Sequence, residues 1–336
     1  MNRDDVLKFE KIAPMISHTP LLKIEFTYKG ENRKIFAKAE YFNLTGSIKD
    51  RVALHIMKKA YEENIIKKGD TIVEATSGNT GIAFSAMGSF LGHPVVIFMP
   101  DWMSRERICL MQSFGAKVVL VSREQGGFLG SIQMAEDLAQ KGGVFLPRQF
   151  SNEDNVEAHY ILTGQEIVDQ LAALGLTADG VVAGVGTGGT IMGLAKRLKE
   201  ENRGLKAYPL EPLNSPTLST GYKVGKHRIQ GISDEFIPSI VHLDELDSVV
   251  SVDDGDAIIM ARMLSEKLGI GVGVSAGANF VGCVMAQNMQ GADSVMTTVF
   301  PDDNKKYLST DYSEPQEMKD SFITKDLELL SVCAYR

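Results

Sequence analysis

Short apolar runs alternate with segments of helical spacing along most of this chain, and this rhythm restricts the fold more than any other feature. Residues 71–75, 94–99 and 116–121 are such runs, and each precedes a helical pattern. Apolar runs without polar alternation are typical of strands that are covered on both faces. The rhythm therefore predicts an α/β fold with mostly parallel, twisted sheets flanked by helices.

The second half of the chain repeats this pattern. Strands are predicted at residues 180–185 and 205–211, a helix at about 253–268 and a final strand at about 294–300. After Pro301 the sequence becomes polar and irregular. We expect this tail to pack on the surface and to take part in assembly.

Length, charge and cysteine content restrict the class of protein. The chain has 336 residues, which predicts about two domains, with a boundary in the polar stretch at 147–155. A net charge of −8 and a pI near 5.4 argue against nucleic acid or an anionic membrane as a partner. The three cysteines lack metal-ligand spacing, and neither a signal core nor a membrane-length apolar run occurs. We expect a cytoplasmic protein with reduced thiols.

A glycine-rich loop at residues 184–190 follows a predicted strand and opens a predicted helix. Glycines let the backbone approach a phosphate closely, and the N-terminus of a helix supplies amide donors. The hydroxyls of Thr187 and Thr190 favour a phosphate monoester, since they add donors around its terminal oxygens.

Two other interpretations of this loop stay open. Gly184, Gly186 and Gly189 satisfy the G-x-G-x-x-G pattern of dinucleotide-binding folds, and Glu211 follows where an acid would bind the ribose. The loop also suits a tight strand–helix turn that binds nothing. A nucleoside-triphosphate loop is excluded because its Gly-Lys-Ser/Thr ending is missing.

Lys49 lies just after a turn signal at residues 45–47 and just before the helical pattern at 52–60. Most lysines are solvated surface residues. Burial and the positive end of a helix dipole both disfavour a charged amine, however, and Schiff-base chemistry requires a neutral one. Lys49 is therefore a candidate for bonding a carbonyl cofactor.

Three motifs occur in order: Ser-Ile-Lys-Asp-Arg at 47–51, Thr-Ser-Gly-Asn-Thr-Gly at 76–81 and Gly-Thr-Gly-Gly-Thr at 186–190. Their order and spacing resemble those of the cysteine synthase family, which are fold type II enzymes dependent on pyridoxal 5′-phosphate (PLP). The resemblance extends over about residues 16–310. It implies PLP as the cofactor, a fold similar to tryptophan synthase β, a small-molecule amino-acid substrate and a homodimer.

The same resemblance assigns roles to residues that match the family's motifs. Lys49 would hold PLP covalently and carry the α-proton, and Asn79 would hydrogen-bond its phenolic oxygen. Ser275 would be the partner of the pyridine nitrogen, although a serine before a helical pattern is also typical of a cap. The PLP phosphate would be held by Gly186, Thr187, Gly188, Gly189 and Thr190. The substrate carboxylate would be bound by Thr76, Ser77, Thr80 and Gln149.

The resemblance also implies a division into domains. Residues 41–150, together with 1–15, would form a smaller, mobile α/β domain. Residues 16–40 and 151–336 would form a larger one that holds the cofactor phosphate. The cofactor would lie in the cleft between them.

The chain departs from the family at residues 227–236. Cysteine synthases commonly carry small neutral residues there, whereas this chain has Asp234 and Glu235. A charged loop facing solvent is one interpretation. If Asp234 reaches the cofactor, its carboxylate would repel hydrosulfide and would orient and deprotonate water.

We therefore hypothesise a PLP-dependent β-replacement lyase that releases hydrogen sulfide from L-cysteine. Asp234 would activate the water that forms L-serine, with pyruvate and ammonia as alternative products. Cysteine synthesis from O-acetylserine and sulfide fits every other motif equally. A nicotinamide-dependent dehydrogenase and a non-catalytic regulatory homologue are further alternatives, the second of which conflicts with the presence of Lys49.

Overall fold

The computed structural model describes residues 3–336, and their side chains from residue 5 onward. The chain divides into two compact units. The first unit comprises Met1–Ser17 and Asn43–Asn155, and the second comprises His18–Phe42 and Val156–Arg336. Within residues 3–336, no helix is long and apolar enough to cross a membrane.

Helices and strands alternate along most of the chain. The α-helices are α1 (Arg3–Ile12), α2 (Lys49–Glu62), α3 (Asn79–Leu91), α4 (Arg105–Ser113), α5 (Gly127–Ala139), α6 (Asp154–Ala158), α7 (Gln165–Ala173), α8 (Gly189–Glu201), α9 (Thr217–Thr220), α10 (Asp254–Leu268) and α11 (Val274–Gln290). The strands are β1 (Leu21–Tyr28), β2 (Glu31–Ala39), β3 (Thr71–Ala75), β4 (Val95–Pro100), β5 (Lys117–Val121), β6 (Val144–Phe145), β7 (Gly180–Gly184), β8 (Lys206–Pro212), β9 (Val250–Val252), β10 (Met296–Phe300) and β11 (Leu327–Tyr335). A π-helix, His159–Gly164, joins α6 to α7.

The first unit contains a parallel sheet of four strands in the order β5-β4-β3-β6. The central strands β3 and β4 are buried almost throughout, as their continuous apolar sequences require. Met57 of α2 and Phe84 of α3 are fully buried in the same core, and these two helices pack against each other. The core therefore fixes the two helices that begin at Lys49 and Asn79.

The second unit contains a sheet of seven strands in the order β11-β1-β2-β10-β7-β8-β9. Five neighbouring strands of this sheet run parallel, namely β2, β10, β7, β8 and β9. In contrast, β1 is antiparallel to both of its neighbours. The helices α10 and α11 pack against each other, and Leu264 and Phe280 are fully buried in the core of this unit. The α/β fold with mostly parallel sheets is confirmed.

The C-terminal tail differs from the expectation. The strand at 294–300 is not the last one, because β11 pairs antiparallel with β1 at the edge of the larger sheet. Along β11, buried Leu327 is followed by exposed or half-exposed residues. A strand exposed on one face and at its edge needs few apolar residues, so its sequence lacks the continuous apolar run of a central strand.

We expect Gly277→Ala to destabilise the second unit. A Cβ atom at Gly277 would lie 2.1 Å from the Ala257 carbonyl oxygen, so α11 would have to move away from α10. Overpacking of this kind lowers the free energy of unfolding by about 1–3 kcal/mol, which urea denaturation measures. Lys267→Ala on the exposed side of α10 is the control and should change it by less than about 0.5 kcal/mol. Equal stability of the two variants would contradict the close packing.

Candidate active site

The loop at residues 76–80 joins β3 to α3 in the first unit. Thr76 N donates to Phe98 O over 3.1 Å, and Thr76 Oγ1 accepts a hydrogen bond from Gly78 N at 3.0 Å. The first turn of α3 contains no acidic residue. The positive end of the helix dipole is therefore not neutralised by its own side chains, and the loop suits an anionic group such as a carboxylate.

Gln149 is held against this loop by its side chain. Its Oε1 accepts from Thr80 Oγ1 at 2.6 Å, and its Nε2 donates to Ala75 O at 2.8 Å. The single hydroxyl proton of Thr80 is thus used within the protein. Among these three residues, the Thr76 hydroxyl and the second amide proton of Gln149 remain as side-chain donors for a ligand. The structure brings Thr76, Thr80 and Gln149 together.

Ser77 and Asn79 are both half-buried on either side of Gly78. A Cβ atom at Gly78 would lie 2.5 Å from the Arg107 Nε atom. The loop therefore needs a glycine between Ser77 and Asn79, because the buried Arg107 side chain occupies the space of any larger residue.

Lys49 is the first residue of α2, at the helix N-terminus that the sequence predicts. Ser47 Oγ accepts from Lys49 N at 3.3 Å, and the Asp50 carboxylate accepts from Thr45 N at 2.8 Å and from Thr45 Oγ1 at 2.7 Å. Side chains before and after Lys49 thus fix its backbone at the start of the helix. The Lys49 side chain is half-buried.

Glu74 lies directly behind the loop at 76–80 and was not predicted as a site residue. Its carboxylate is 3% exposed and accepts from Ala75 N at 2.9 Å and from Gln149 N at 3.2 Å. Burial raises the pKa of Glu74 from 4.5 to about 7, although both backbone hydrogen bonds oppose this shift. A carboxyl group in a mostly apolar strand gives no sequence signal for such long-range contacts.

The glycine loop of the second unit connects β7 to α8. Gly188 has a φ of 89°, and the first turn of α8 contains no acidic residue. A Cβ atom at Gly186 would lie 2.3 Å from the Gly231 carbonyl oxygen, and one at Gly188 would lie 2.1 Å from Val241 Cγ2. Backbone amides at a helix N-terminus fit a phosphate ester, and the glycines at 186 and 188 allow the loop that presents them to pack closely against Gly231 and Val241.

The Thr190 hydroxyl contacts the side chain of a histidine that the sequence did not indicate. Thr190 Oγ1 lies 3.3 Å from His159 Nε2, and His159 Nδ1 lies 3.0 Å from Thr163 Oγ1. His159 is fully buried and belongs to the π-helix, while Thr187 in the same glycine loop is also buried. His159 lies 31 positions before Thr190, so no local sequence signal relates the two residues, and only the folded structure shows their contact.

Ser275 is the second residue of α11, and the N-cap of this helix is Gly273, without a side-chain cap. The alternative that Ser275 caps the helix is therefore wrong. Asn279 lies one turn further on the same helix face. Its Oδ1 accepts from Gly184 N at 2.9 Å and its Nδ2 donates to Val299 O at 2.8 Å, which fixes α11 against the glycine loop. The sequence assigned no role to Asn279.

The loop that carries Asp234 is hydrogen-bonded to the glycine loop. Ser233 N donates to Val185 O at 2.8 Å, and Ser233 Oγ donates to Ser215 O at 2.9 Å. Ser233 has a φ of 55°, in the left-handed region, and His227 Nε2 lies 3.1 Å from its carbonyl oxygen. The contacts of Ser233 thus fix the backbone position of the next residue, the half-buried Asp234.

Glu235 and Glu211 have structural partners. Glu235 Oε1 forms an ion pair with Lys223 Nζ at 3.2 Å. The fully buried Glu211 carboxylate accepts from Leu218 N at 2.7 Å and from Ser219 Oγ at 2.5 Å, and also from Ser219 N and Ser251 Oγ. The Glu211 carboxylate thus accepts four hydrogen bonds within the protein. The dinucleotide interpretation requires this carboxylate to bind a ribose, and these contacts argue against that role.

Residues 12–302 match the model of the pyridoxal-phosphate dependent enzymes. A cysteine synthase from Staphylococcus aureus is 38% identical over 301 residues, which are 90% of this chain and 96% of that one. The chain belongs to the cysteine synthase family. Its cofactor is PLP, and its fold is that of the fold type II PLP enzymes.

Solved structures extend this similarity. A hydrogen sulfide-producing enzyme from Fusobacterium nucleatum is 61% identical, with a TM-score of 0.96 over 98% of this chain and 99% of that one. An aspartate-to-asparagine variant of that enzyme, in complex with an α-aminoacrylate intermediate, is 61% identical and has a TM-score of 0.95 over 97% of this chain and 99% of that one.

The residues of this chain fit PLP. The loop between β7 and α8 offers backbone N–H groups for its phosphate at a helix N-terminus without acidic residues, and its glycines at 186 and 188 allow close packing against Gly231 and Val241. In the first unit, the amine of Lys49 would supply the group that bonds an aldehyde, and the loop at 76–80 would offer donors for a carboxylate.

The raised pKa of Glu74 predicts a pH dependence of stability. Between the ordinary pKa of 4.5 and the folded-state value of about 7, the unfolded chain has lost this proton while the folded chain keeps it. The free energy of unfolding should therefore fall as pH rises through this range, by about 3 kcal/mol, and should level off above it. Urea denaturation across this pH range gives the free energies of unfolding of wild type and Glu74→Gln, and we expect the difference between the two to change with pH. A constant difference would contradict the raised pKa.

We expect Gly186→Ala to weaken PLP binding. The new Cβ atom would meet the Gly231 carbonyl oxygen at 2.3 Å and would push the glycine loop out of its place. The dissociation constant of PLP, measured by titrating apoenzyme and following cofactor absorbance, should rise at least about tenfold. Gly204→Ala is the control, because its nearest neighbour would be Asn202 Oδ1 at 3.3 Å on an exposed turn. Equal PLP affinity of the two variants would be against this role of Gly186.

Proposed function

We propose that this enzyme acts on L-cysteine, releases hydrogen sulfide and forms L-serine. The observation that carries the proposal is the position of Asp234 on a loop that is hydrogen-bonded to the glycine loop through Ser233 N and Val185 O. Contact between the two loops requires glycine at residue 186, so the loop of Asp234 is built against the proposed phosphate site.

The proposed roles of the first unit concern the α-carbon and the carboxylate. Lys49 Nζ removes the α-proton of the substrate, and the donors around Thr76 and Gln149 hold its carboxylate. PLP, when bound, withdraws electrons from the α-carbon, so that a group on the β-carbon can leave. Asn79 would hold the ring of the cofactor at its phenolic oxygen. Ser275, which belongs to the second unit, would be the partner of the pyridine nitrogen and would moderate this electron withdrawal.

Asp234 decides what replaces the sulfide in this proposal. Its carboxylate takes a proton from water while the water oxygen bonds to the β-carbon. The same negative charge repels hydrosulfide and so favours water as the nucleophile that adds to the β-carbon. The atoms balance, since L-cysteine and water give L-serine and hydrogen sulfide.

The relatives support this direction. The Fusobacterium nucleatum enzyme, which matches nearly the whole chain, is described as hydrogen sulfide-producing. The aspartate substituted in its variant has a number two lower than that of Asp234. The cysteine synthases that resemble the chain at 38% identity favour the alternative reaction, from O-acetylserine and sulfide to cysteine. A homodimer, a cytoplasmic location and the domain bounds at 41–150 stay predictions.

Asp234→Asn should separate sulfide release from serine formation. The amide keeps the shape of the side chain but cannot take a proton from water. We expect serine formation from L-cysteine to fall at least about 100-fold, while PLP stays bound and the first release of sulfide continues. Sulfide and serine are quantified in the same reaction.

Glu235→Gln is the matched control, because Glu235 is adjacent in sequence but is paired with Lys223. It should keep serine formation within about twofold of wild type. If wild-type protein makes only cysteine from O-acetylserine and sulfide, the proposed direction is wrong. If Asp234→Asn forms serine at the normal rate, the base is another group.

A further inference from the structure

We propose that Glu74 is a positioning residue for the substrate carboxylate, because it holds Gln149 against the loop at residues 76–80. The inference deepens the proposed function and rests on its carboxylate site. It does not depend on which group leaves the β-carbon.

Glu74 occupies a place where a carboxyl group is costly. It lies in β3, between β4 and β6, opposite Ile97 of β4, and is 3% exposed. Buried carboxylates in proteins usually pair with a cation, since removing the charge from water costs several kcal/mol. Glu74 instead accepts two backbone N–H groups, one from Ala75 and one from Gln149.

These two hydrogen bonds close a ring of contacts between two segments of the chain. Glu74 Oε1 binds Ala75 N and Glu74 Oε2 binds Gln149 N. The Gln149 amide then returns to the first segment, donating to Ala75 O and accepting from Thr80 Oγ1. Glu74 thus fixes the backbone of Gln149, and Gln149 fixes the hydroxyl of Thr80.

A carboxylate is the side chain that suits this position. Above its pKa of about 7, the Glu74 side chain offers two acceptor oxygens in one plane and has no donor, so it accepts both N–H groups at once. An amide offers one acceptor and would direct its NH₂ group at the second N–H. An apolar residue would leave Gln149 N buried without an acceptor, which costs about 1–3 kcal/mol.

The charged groups that act on Glu74 lie on α5 and in the segment before Gln149. Glu136 of α5 raises its pKa, and Arg148 lowers it. Arg148 has a φ of 56° and forms two hydrogen bonds with Glu136, at 2.9 and 2.8 Å. The Arg148 guanidinium is therefore paired with the half-exposed Glu136, and the buried Glu74 carboxylate accepts its hydrogen bonds from the backbone.

The test compares two ligands in the holoenzyme: L-serine, which has a carboxylate, and L-serinamide, which lacks one. Their dissociation constants are measured from the change in absorbance of bound PLP, at a pH above the Glu74 pKa of about 7 so that the wild-type side chain is ionised. Glu74→Gln should reduce the preference for L-serine over L-serinamide at least about tenfold, because Gln149 and Thr80 lose their alignment. A merely structural role would weaken both ligands equally and leave this ratio unchanged.

Two further variants make the result decisive. Glu74→Asp keeps the charge but withdraws it from Gln149 N, so the ratio should fall in the same direction even if Glu74→Gln does not fold. Glu136→Gln removes the half-exposed acid beside Arg148 and should leave the ratio within about twofold of wild type. A wild-type ratio in either folded Glu74 variant would overturn the proposal.

Ligand binding also separates this inference from the proposed function. The assay requires no release of sulfide and no formation of serine from cysteine. If wild-type enzyme failed to produce sulfide but Glu74→Gln lost its preference for the carboxylate, the positioning role would stand and the proposed reaction would fail. If wild-type enzyme produced sulfide but Glu74→Gln kept its preference for the carboxylate, only the positioning role of Glu74 would fail.

Discussion

The close approach of two loops in the second unit is the constraint on which the proposed chemistry depends. The glycine loop passes so near to Gly231 that any side chain at residue 186 would collide with its carbonyl oxygen. The hydrogen bond from Ser233 N to Val185 O then joins the loops one residue before Asp234. The loop proposed to bind phosphate through its backbone and the loop that carries Asp234 are thereby held together.

Two buried glutamates show how differently this fold treats a carboxyl group. Glu211 has four donors from α9 and its surroundings, and its role is to fix the chain that follows β8. Glu74 has two donors, both from the backbone, and its pKa rises to about 7 because burial outweighs them. The first carboxylate acts as a local anchor, whereas the second joins segments 75 residues apart in sequence.

The sequence predicted the elements whose signals are local. The helix at Asn79–Leu91 follows from its apolar residues and its final glycine, and the start of α2 at Lys49 follows from the turn before it. The edge strand β11 was missed because a strand exposed on one face has no continuous apolar run. Three contacts were missed: Glu74 with Gln149, His159 with Thr190, and Asn279 with Gly184. In each of them the two residues lie more than 30 positions apart along the chain.

The contacts of Ser233 have a consequence for how such an enzyme changes its reaction during evolution. The loop is anchored by Ser233 and by carbonyl oxygens of Val185 and Ser215, which any sequence supplies at those two positions. The neighbouring position 234 can therefore exchange its side chain without moving the scaffold. Under the proposed role of Asp234, exchange of this one side chain would change which nucleophile the loop favours, water or hydrosulfide, while the backbone contacts of Ser233 stay the same.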